Sequence, residues 1–164
     1  MKKTILTILC SLFTICGMAQ SEKTYTDQLV ITINGKSEEP QTTTVTVIDN
    51  GNGTVNFEMK NFFMISGEDA IPVGNIFIEN LLVSEGDDGL KHITYDAPLV
   101  IQPGDMEGVD MWYGPMFGEI PLKLKGKMTD EKFYAVIDID LSYLSYVIVV
   151  LVACLRMIAP NTLS

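Results

Sequence analysis

The chain has 164 residues, a formal net charge of −10 at pH 7, and 47% hydrophobic residues. This length accommodates one domain and excludes a multidomain enzyme. The acidity argues against a nucleic acid or an anionic membrane surface as the partner, because phosphate groups would be repelled.

The hydrophobic residues concentrate at the two ends of the chain. Residues 1–19 contain 12 of them and residues 141–159 contain 16, whereas residues 20–140 carry all 21 acidic side chains. The middle of the chain is therefore an acidic domain, and the two apolar ends need separate explanations.

Residues 1–19 have the order of a secretory signal peptide. Two lysines precede an apolar run over residues 4–16, and Gly17 and Ala19 then supply small residues before a cut that would leave Gln20 first. We therefore expect a protein exported through the inner membrane, to the periplasm or the cell exterior. A domain over residues 20–152 and a C-terminal tail over residues 153–164 would follow.

The cysteines add to this interpretation. Cys10 and Cys16 both follow large apolar residues, which does not fit the small residue expected before a lipidated cysteine. Cleavage would remove both and leave Cys154 alone, so no internal disulfide is expected and the core must supply the stability.

The central region is a succession of short strand-like runs separated by turn residues. In residues 54–63, Val55, Phe57 and Met59 alternate with polar positions, and the preceding Asn-Gly-Asn-Gly turn favours a hairpin. The same criteria predict seven strands and a possible eighth, at residues 24–33, 42–49, 54–63, 73–83, 90–96 (with a short continuation at 98–102), 119–128, 132–141 and 143–152.

Consecutive hairpins whose strands have one solvent-exposed face are typical of an up-and-down barrel or a sandwich. The connections are short and no long crossover is visible, so we predict an all-β fold, an eight-stranded antiparallel up-and-down barrel. An outer-membrane barrel is disfavoured, because alternate positions include Glu58, Lys60, Lys123 and Lys125.

The C-terminal apolar segment does not alternate. Residues 141–155 carry no charge, and residues 147–152 are all aliphatic. Fifteen residues are fewer than the roughly 20 that a membrane-spanning helix needs. Their β-branched content favours a strand; a membrane-seeking helix and an aberrant tail are the alternatives.

Several runs together resemble a known family. They are LVITING at 29–35, EPQ at 39–41, NGTVNF at 52–57, PVGNI at 72–76, GEIPL at 118–122, GKM at 126–128 and IDID at 137–140. Over about residues 20–141 the chain resembles the calycin-like (lipocalin-like) secreted domains of Bacteroidetes. That resemblance implies an exported eight-stranded barrel without an established activity. Residues 142–164 depart from the pattern, which suggests a frameshifted or divergent terminus.

The sequence offers little catalytic chemistry. His92 is the only histidine, and a lone histidine on a strand is more often structural. The acidic turns around Asp49 and Asp88 lack the ligand spacing of a calcium loop. No phosphate-binding or dinucleotide motif is present. We therefore predict no metal, no cofactor and no enzymatic activity.

The most informative segment is residues 104–118, which are rich in glycine, methionine and aromatic residues. Its aromatic side chains could plug one end of the barrel, or they could line the mouth of a site for a small apolar ligand. The candidate ligand-binding residues are Met111, Trp112, Tyr113, Met116 and Phe117, with Phe63 from a neighbouring strand.

The sequence thus predicts an exported, non-enzymatic barrel that binds a small hydrophobic or amphipathic molecule. The alternative is a cell-envelope module for protein–protein interaction without a small ligand. No nucleic-acid partner is expected, and only residues 141–155 suggest any contact with a membrane.

Overall fold

The computed structural model describes residues 21–142 and 146–157. The predicted signal peptide lies outside the described residues. The strands are β1 (Ser21–Ile33), β2 (Lys36–Ser37), β3 (Gln41–Asp49), β4 (Thr54–Ser66), β5 (Asp69–Glu85), β6 (Lys91–Val100), β7 (Glu119–Met128), β8 (Lys132–Leu141) and β9 (Tyr146–Met157), and a 3₁₀ helix, η1, covers Gly114–Phe117.

The strands form one antiparallel sheet that closes on itself. Apart from the two-residue β2, each long strand pairs with the next in the chain, and β9 pairs with both β8 and β1. This is the predicted all-β, eight-stranded up-and-down barrel, so the fold prediction is confirmed. Closure also gives β9 and β1 a hydrogen-bonding partner on each side, which removes free sheet edges.

Alternation along each strand builds the core. In β7, Ile120, Leu122 and Leu124 are buried while Lys123 and Lys125 are exposed. Tyr25, Phe57 and Phe133 form an aromatic cluster in the interior, with ring centroids 5.6 and 5.9 Å from Phe133. Among the described residues no charged or polar side chain is buried. The described interior is therefore apolar apart from the hydroxyl group of Tyr25, which donates to the carbonyl of Thr129.

The barrel has two different ends. One end carries the tight turns at residues 50–53, 86–90 and 129–131, and we call it the turn end. The other carries the connections 34–40 and 67–68 and the long segment 101–118. We call residues 101–118 the plug and this end the plug end.

Strand pairing is incomplete toward the plug end. The β3–β4 register covers only Thr46–Asp49 of β3, the β5–β6 register begins at Leu82, and the β7–β8 register stops at Leu122. Asn61 in β4 and Asn80 in β5 adopt positive φ angles of 49° and 56° at irregularities of the strands. The barrel is therefore splayed where the plug enters it.

The predicted strand limits differ most from the observed ones in β4, β5, β6 and β9; in addition, β1 begins three residues before its predicted start and the two-residue β2 was not predicted. β4 and β5 extend closer to the turn between them than alternation indicated, and the two predicted pieces near Pro98 form the single strand β6. The last strand starts at Tyr146 and ends at Met157, so residues 153–157 of the predicted tail belong to β9. Within the described residues, no helix is long and apolar enough to cross a bilayer.

Candidate functional site

An asparagine in a strand irregularity fastens the plug to the barrel. The Nδ2 of Asn61 donates to Oδ1 of Asp105 at 2.7 Å, and its Oδ1 accepts the amides of Asp105 and Met106 at 2.8 and 3.2 Å. Asn75 of β5 accepts the Asn61 amide at 2.7 Å and donates to the carbonyl of Pro103 at 3.1 Å. Both asparagines thus satisfy plug backbone that no strand could pair.

Two glycines let the plug approach the barrel closely. A Cβ on Gly104 would collide with the Trp112 ring and with the Asn61 side chain, and a Cβ on Gly114 would collide with the carbonyl of Val73. Trp112 packs on Phe63 with ring centroids 5.3 Å apart. The plug is therefore fitted to β4 and β5 by close contacts.

An apolar cavity of about 90 Å³ lies beneath the plug. Met59, Phe62, Ile76 and other inward-facing residues of six long strands form its walls, while Ile101, Tyr113 and Phe117 of the plug contribute to its lining. Every lining side chain is aliphatic, aromatic or a methionine. Apolar space of this kind favours apolar guests, as an engineered cavity of about 150 Å³ that binds benzene does.

The six predicted ligand-binding residues occupy three environments. Tyr113 and Phe117 line the cavity. Trp112 is 9% exposed and packs against Phe63 beside the cavity, without lining it. Met111 and Met116 are 54% and 71% exposed and face outward from the plug. Binding by any of the six remains a prediction.

Most of the cavity wall escaped the sequence prediction. Met59 and Ile137 line the cavity, yet in the sequence they are ordinary inward positions of alternating strands, and Val150 lies in a run that does not alternate at all. Alternation identifies the inward face but not the height along the barrel at which the strands splay. No sequence signal separated these residues from the rest of the core.

The turn end holds a polar basin of about 240 Å³. Nζ of Lys23 donates to Oδ1 of Asp130 across its rim at 2.6 Å, and this hydrogen bond raises the pKa of Lys23 and lowers the pKa of Asp130. At the floor, burial raises the pKa of Tyr25. Asp49, Glu85 and Lys91 also line the basin, so it is a polar, charged end of the barrel in which the Lys23–Asp130 pair bridges the rim.

The single histidine belongs to an exposed ion-pair cluster. Oδ1 of Asp88 lies 2.8 Å from Nε2 of His92, and its Oδ2 accepts from Nζ of Lys127 at 2.7 Å. The hydrogen bond from Lys127, with that from His92, holds the pKa of Asp88 well below its usual range. This arrangement ties the β5–β6 turn to β7. In the described part of the chain, no group of three or more His, Cys, Asp or Glu could hold a metal ion.

Comparisons with known proteins agree with the fold. The family model for the calycin-like beta-barrel domain matches residues 22–153. The closed antiparallel barrel and this match define a calycin-like protein, and the chain belongs to the calycin-like β-barrel domain family. No curated protein sequence matches it.

A solved structure shares the fold. It is a 2.40 Å crystal structure of a protein from Bacteroides fragilis that is provisionally described as an outer membrane protein. The similarity has a TM-score of 0.57 at 11% sequence identity and covers 86% of this chain. This chain spans about half of that structure, 51% of its length. At this identity the similarity concerns the fold alone.

Proposed function

We propose that this protein is an exported, non-enzymatic barrel that binds a small hydrophobic or amphipathic molecule in the cavity beneath the plug. The observation that carries this proposal is the apolar space of about 90 Å³ between the splayed strands and the plug. Packed protein interiors rarely leave voids larger than a water molecule. A retained apolar void therefore favours a binding role.

The size of the cavity restricts the ligand. Pockets for drug-sized molecules usually measure about 300–1,000 Å³, so this cavity suits a short alkyl chain or a single small ring. Each buried methylene would contribute about 0.8 kcal/mol. Affinity should accordingly rise with chain length until the cavity is filled.

Methionine methyl groups report on the cavity directly. Met59 and Met64 line it, whereas Met111 and Met116 face outward on the plug. We expect titration with 1-hexanol to shift the ¹³C-methyl NMR signals of Met59 and Met64 and to leave those of Met111 and Met116 unchanged. Unchanged cavity methyl signals at saturating hexanol would refute the proposal.

Two valines on β5 offer matched variants for the same titration. Val73 lines the cavity, while Val83 lies toward the turn end, and both are half-buried against the core. Val73→Phe should fill the cavity and abolish the hexanol-induced shifts. Val83→Phe adds the same bulk elsewhere and should leave them intact.

The proposed location is the cell envelope or beyond it. The basic, apolar and small-residue order of residues 1–19 supports export. The shared fold with a protein provisionally described as an outer membrane protein is compatible with this location. Mass spectrometry of the protein recovered from its own cells should give a chain that begins at Gln20. A chain that still begins at Met1 would contradict cleavage.

The second candidate function is an envelope interaction module. It is favoured by the apolar side chains that the plug leaves exposed, Met106, Met111, Tyr113 and Met116. Such exposed clusters often mark protein contacts. A self-association seen by light scattering and lost in Met111→Ser/Met116→Ser would support this function. Deleting residues 143–164 would not test self-association, because the deletion removes β9 and opens the barrel.

A further inference from the structure

We propose that the cavity is entered sideways, between β7 and β8, by a short single-chain amphiphile whose head stays in an external groove. This inference rests on the proposed ligand binding and adds the route and the ligand class. It begins from the interruption of the β7–β8 pairing at the plug end. The register of these strands stops at the pair Leu122 and Ile139.

Proline chemistry explains why the pairing stops there. Pro98 of β6 lies opposite Pro121 of β7. Antiparallel partners alternate between pairs that exchange two hydrogen bonds and pairs that exchange none. Because proline has no N–H, these two must form a pair of the second kind. The backbone of Pro121 therefore faces β8, where it cannot donate a hydrogen bond.

The interrupted β7–β8 pairing lies at the cavity wall. The next residues in the β7–β8 register are Pro121 with Asp140 and then Ile120 with Leu141, and neither pair is formed. Ile120 and Leu141 both line the cavity and are buried. At this height the cavity wall therefore consists of apolar side chains, and Pro121 donates no hydrogen bond from β7 to β8. We call this stretch the seam.

A groove lies on the outer surface at the seam. It measures about 560 Å³ and is lined by residues of β6, β7 and β8, among them Pro98 and Pro121. Leu122 and Ile139 line both this groove and the cavity. Among the described residues, these two form the boundary that the cavity and the groove share.

The two spaces differ in polarity, as the two parts of an amphiphile do. The cavity has no charged lining residue, whereas the groove combines the carboxylates of Asp96, Asp138 and Asp140 and the ammonium of Lys123 with apolar surface from Ala97, Pro98, Pro121, Leu122 and Ile139. Nζ of Lys123 lies 3.1 Å from Oδ2 of Asp96. An alkyl chain fits the first space and a polar head the second. Asp138 and Asp140 have no cationic partner among the described residues, although Oδ1 of Asp140 accepts the Ser142 amide at 2.9 Å. Their charges would repel an anionic head, so a neutral or cationic head of equal chain length is preferred.

The plug does not offer an equally easy route. Asn61 and Asn75 bind its backbone, and Gly104 and Gly114 bring it into close contact with the barrel. Opening there would break several hydrogen bonds. Opening at the seam separates apolar side chains that can remain in contact with the incoming alkyl chain.

The decisive experiment measures the rate of ligand exchange in the full chain. Methyl exchange NMR on Met59 and Met64 with 1-hexanol gives the rates of association and dissociation. Pro121→Val restores an N–H that faces β8, and one added hydrogen bond should slow both rates about fivefold. Pro98→Val restores an N–H that faces β5 and is the matched control, with unchanged rates.

A disulfide across the seam provides a second, independent test of lateral entry. Pro121 and Asp140 directly follow the last formed pair, Leu122 with Ile139, so cysteines at these two positions lie at the edge of the seam. A disulfide between them would hold their Cα atoms within about 7 Å of each other. In Pro121→Cys/Asp140→Cys, oxidation should nearly stop exchange, and reduction of the same sample should restore it. Exchange at the same rate in both redox states would overturn lateral entry.

Further titrations test the preference for the head group and distinguish a failure of the proposed function from a failure of lateral entry. Hexylamine and 1-hexanol should bind more tightly than hexanoate. The double variant Asp138→Asn/Asp140→Asn should reduce this difference in affinity. If no hexyl compound shifts the Met59 and Met64 signals, the proposed function fails. If hexanol binds but neither Pro121→Val nor the disulfide slows exchange, only the lateral route fails.

Discussion

Asn61 and Asp105 exchange two hydrogen bonds across the junction of barrel and plug. The Asn61 side chain donates to the Asp105 carboxylate and accepts the Asp105 amide, at 2.7 and 2.8 Å. Asn61 has a positive φ of 49°, a conformation that asparagine tolerates better than most residues. One residue thus bends β4 and anchors the segment that covers the cavity.

Asn61→Gly should separate these two roles. Glycine keeps the positive φ without strain but removes three side-chain hydrogen bonds to the plug. We expect a loss of about 1–3 kcal/mol in the free energy of unfolding, measured by urea denaturation, with a red shift of Trp112 emission. Asn80→Gly, at another asparagine with positive φ, is the control and should leave that emission unchanged. An unshifted Trp112 spectrum in Asn61→Gly would show that other contacts hold the plug.

Gly104→Ala should destabilise the plug by steric overlap. The new methyl group would collide with the Trp112 ring and the Asn61 side chain, and overpacking of this kind costs about 1–3 kcal/mol. Gly108→Ala is the contrasting variant: it has a φ of 85° but open space around it, so only backbone strain of about 1–2 kcal/mol is expected. Near-ultraviolet circular dichroism of Trp112 should change in the first variant only.

Gln41 replaces missing ladder bonds between β3 and β4. Its Nε2 donates to the carbonyl of Phe63 at 2.6 Å, and its Oε1 accepts the amide of Ile65 at 2.8 Å. Gln41→Ala should lower the free energy of unfolding by about 1–3 kcal/mol, because two partly buried backbone groups lose their partner. Gln28→Ala, which loses one exposed bond to Thr42, should change it by less than about 0.5 kcal/mol. Equal denaturation midpoints for the two variants would contradict this role.

Phe117→Ala should enlarge the cavity and change its preference for chain length. In the wild type we expect affinity to level off near 1-hexanol. In the variant, the Kd of 1-octanol should fall by up to about fourfold for each further methylene that becomes buried, as measured by calorimetry. Met116→Ala removes an exposed neighbour in the same short helix and should keep the wild-type preference. An unchanged preference in Phe117→Ala would place the ligand elsewhere.

Acid should weaken the Asp88 cluster. Because the pKa of Asp88 is lowered in the folded state by Lys127 and His92, its stabilising contribution is present above the ordinary carboxyl pKa of about 4 and is lost as the pH falls below it. Denaturation midpoints of wild type and Asp88→Asn should therefore differ most at neutral pH and converge in acid. The difference should be small and sensitive to salt, since the cluster is exposed.

Asp87→Asn is the matched control for this experiment, because it removes one formal charge from the same turn while the contacts to Lys127 and His92 remain. Its midpoint should follow that of the wild type across the acid range. A difference between wild type and Asp88→Asn that persists at low pH would contradict the ionic origin of the effect.

Much of the fold could be predicted because local chemistry controls it. The Asn-Gly-Asn-Gly turn before Thr54 defines one hairpin. The alternation in β7 and in β8, each about ten residues long, defines another. The run at residues 147–152 could not be interpreted in this way, since it lacks alternation. Its placement as β9 depends on β1 and β8, which are distant in the chain and offer it backbone partners on both sides.

The candidate site was less predictable for a different reason. The sequence identified residues 104–118 as the informative segment but could not sort its side chains. Trp112 is buried because Gly104 and Phe63 leave a space for its ring, whereas Met111 beside it faces solvent. That sorting depends on contacts such as Phe63 with Trp112, which are distant in the chain and which no local pattern contains.

The sequence by itself determined an acidic, all-β chain of serial hairpins, because turn residues and period-two alternation act over a few neighbouring residues. Only the tertiary structure decided where the barrel splays and thus where its cavity lies. That outcome depends on which way the backbones of Pro98 and Pro121 face and on what Gln41 and Asn61 bind. Such directions are set by the pairing of strands and are invisible in the order of residues.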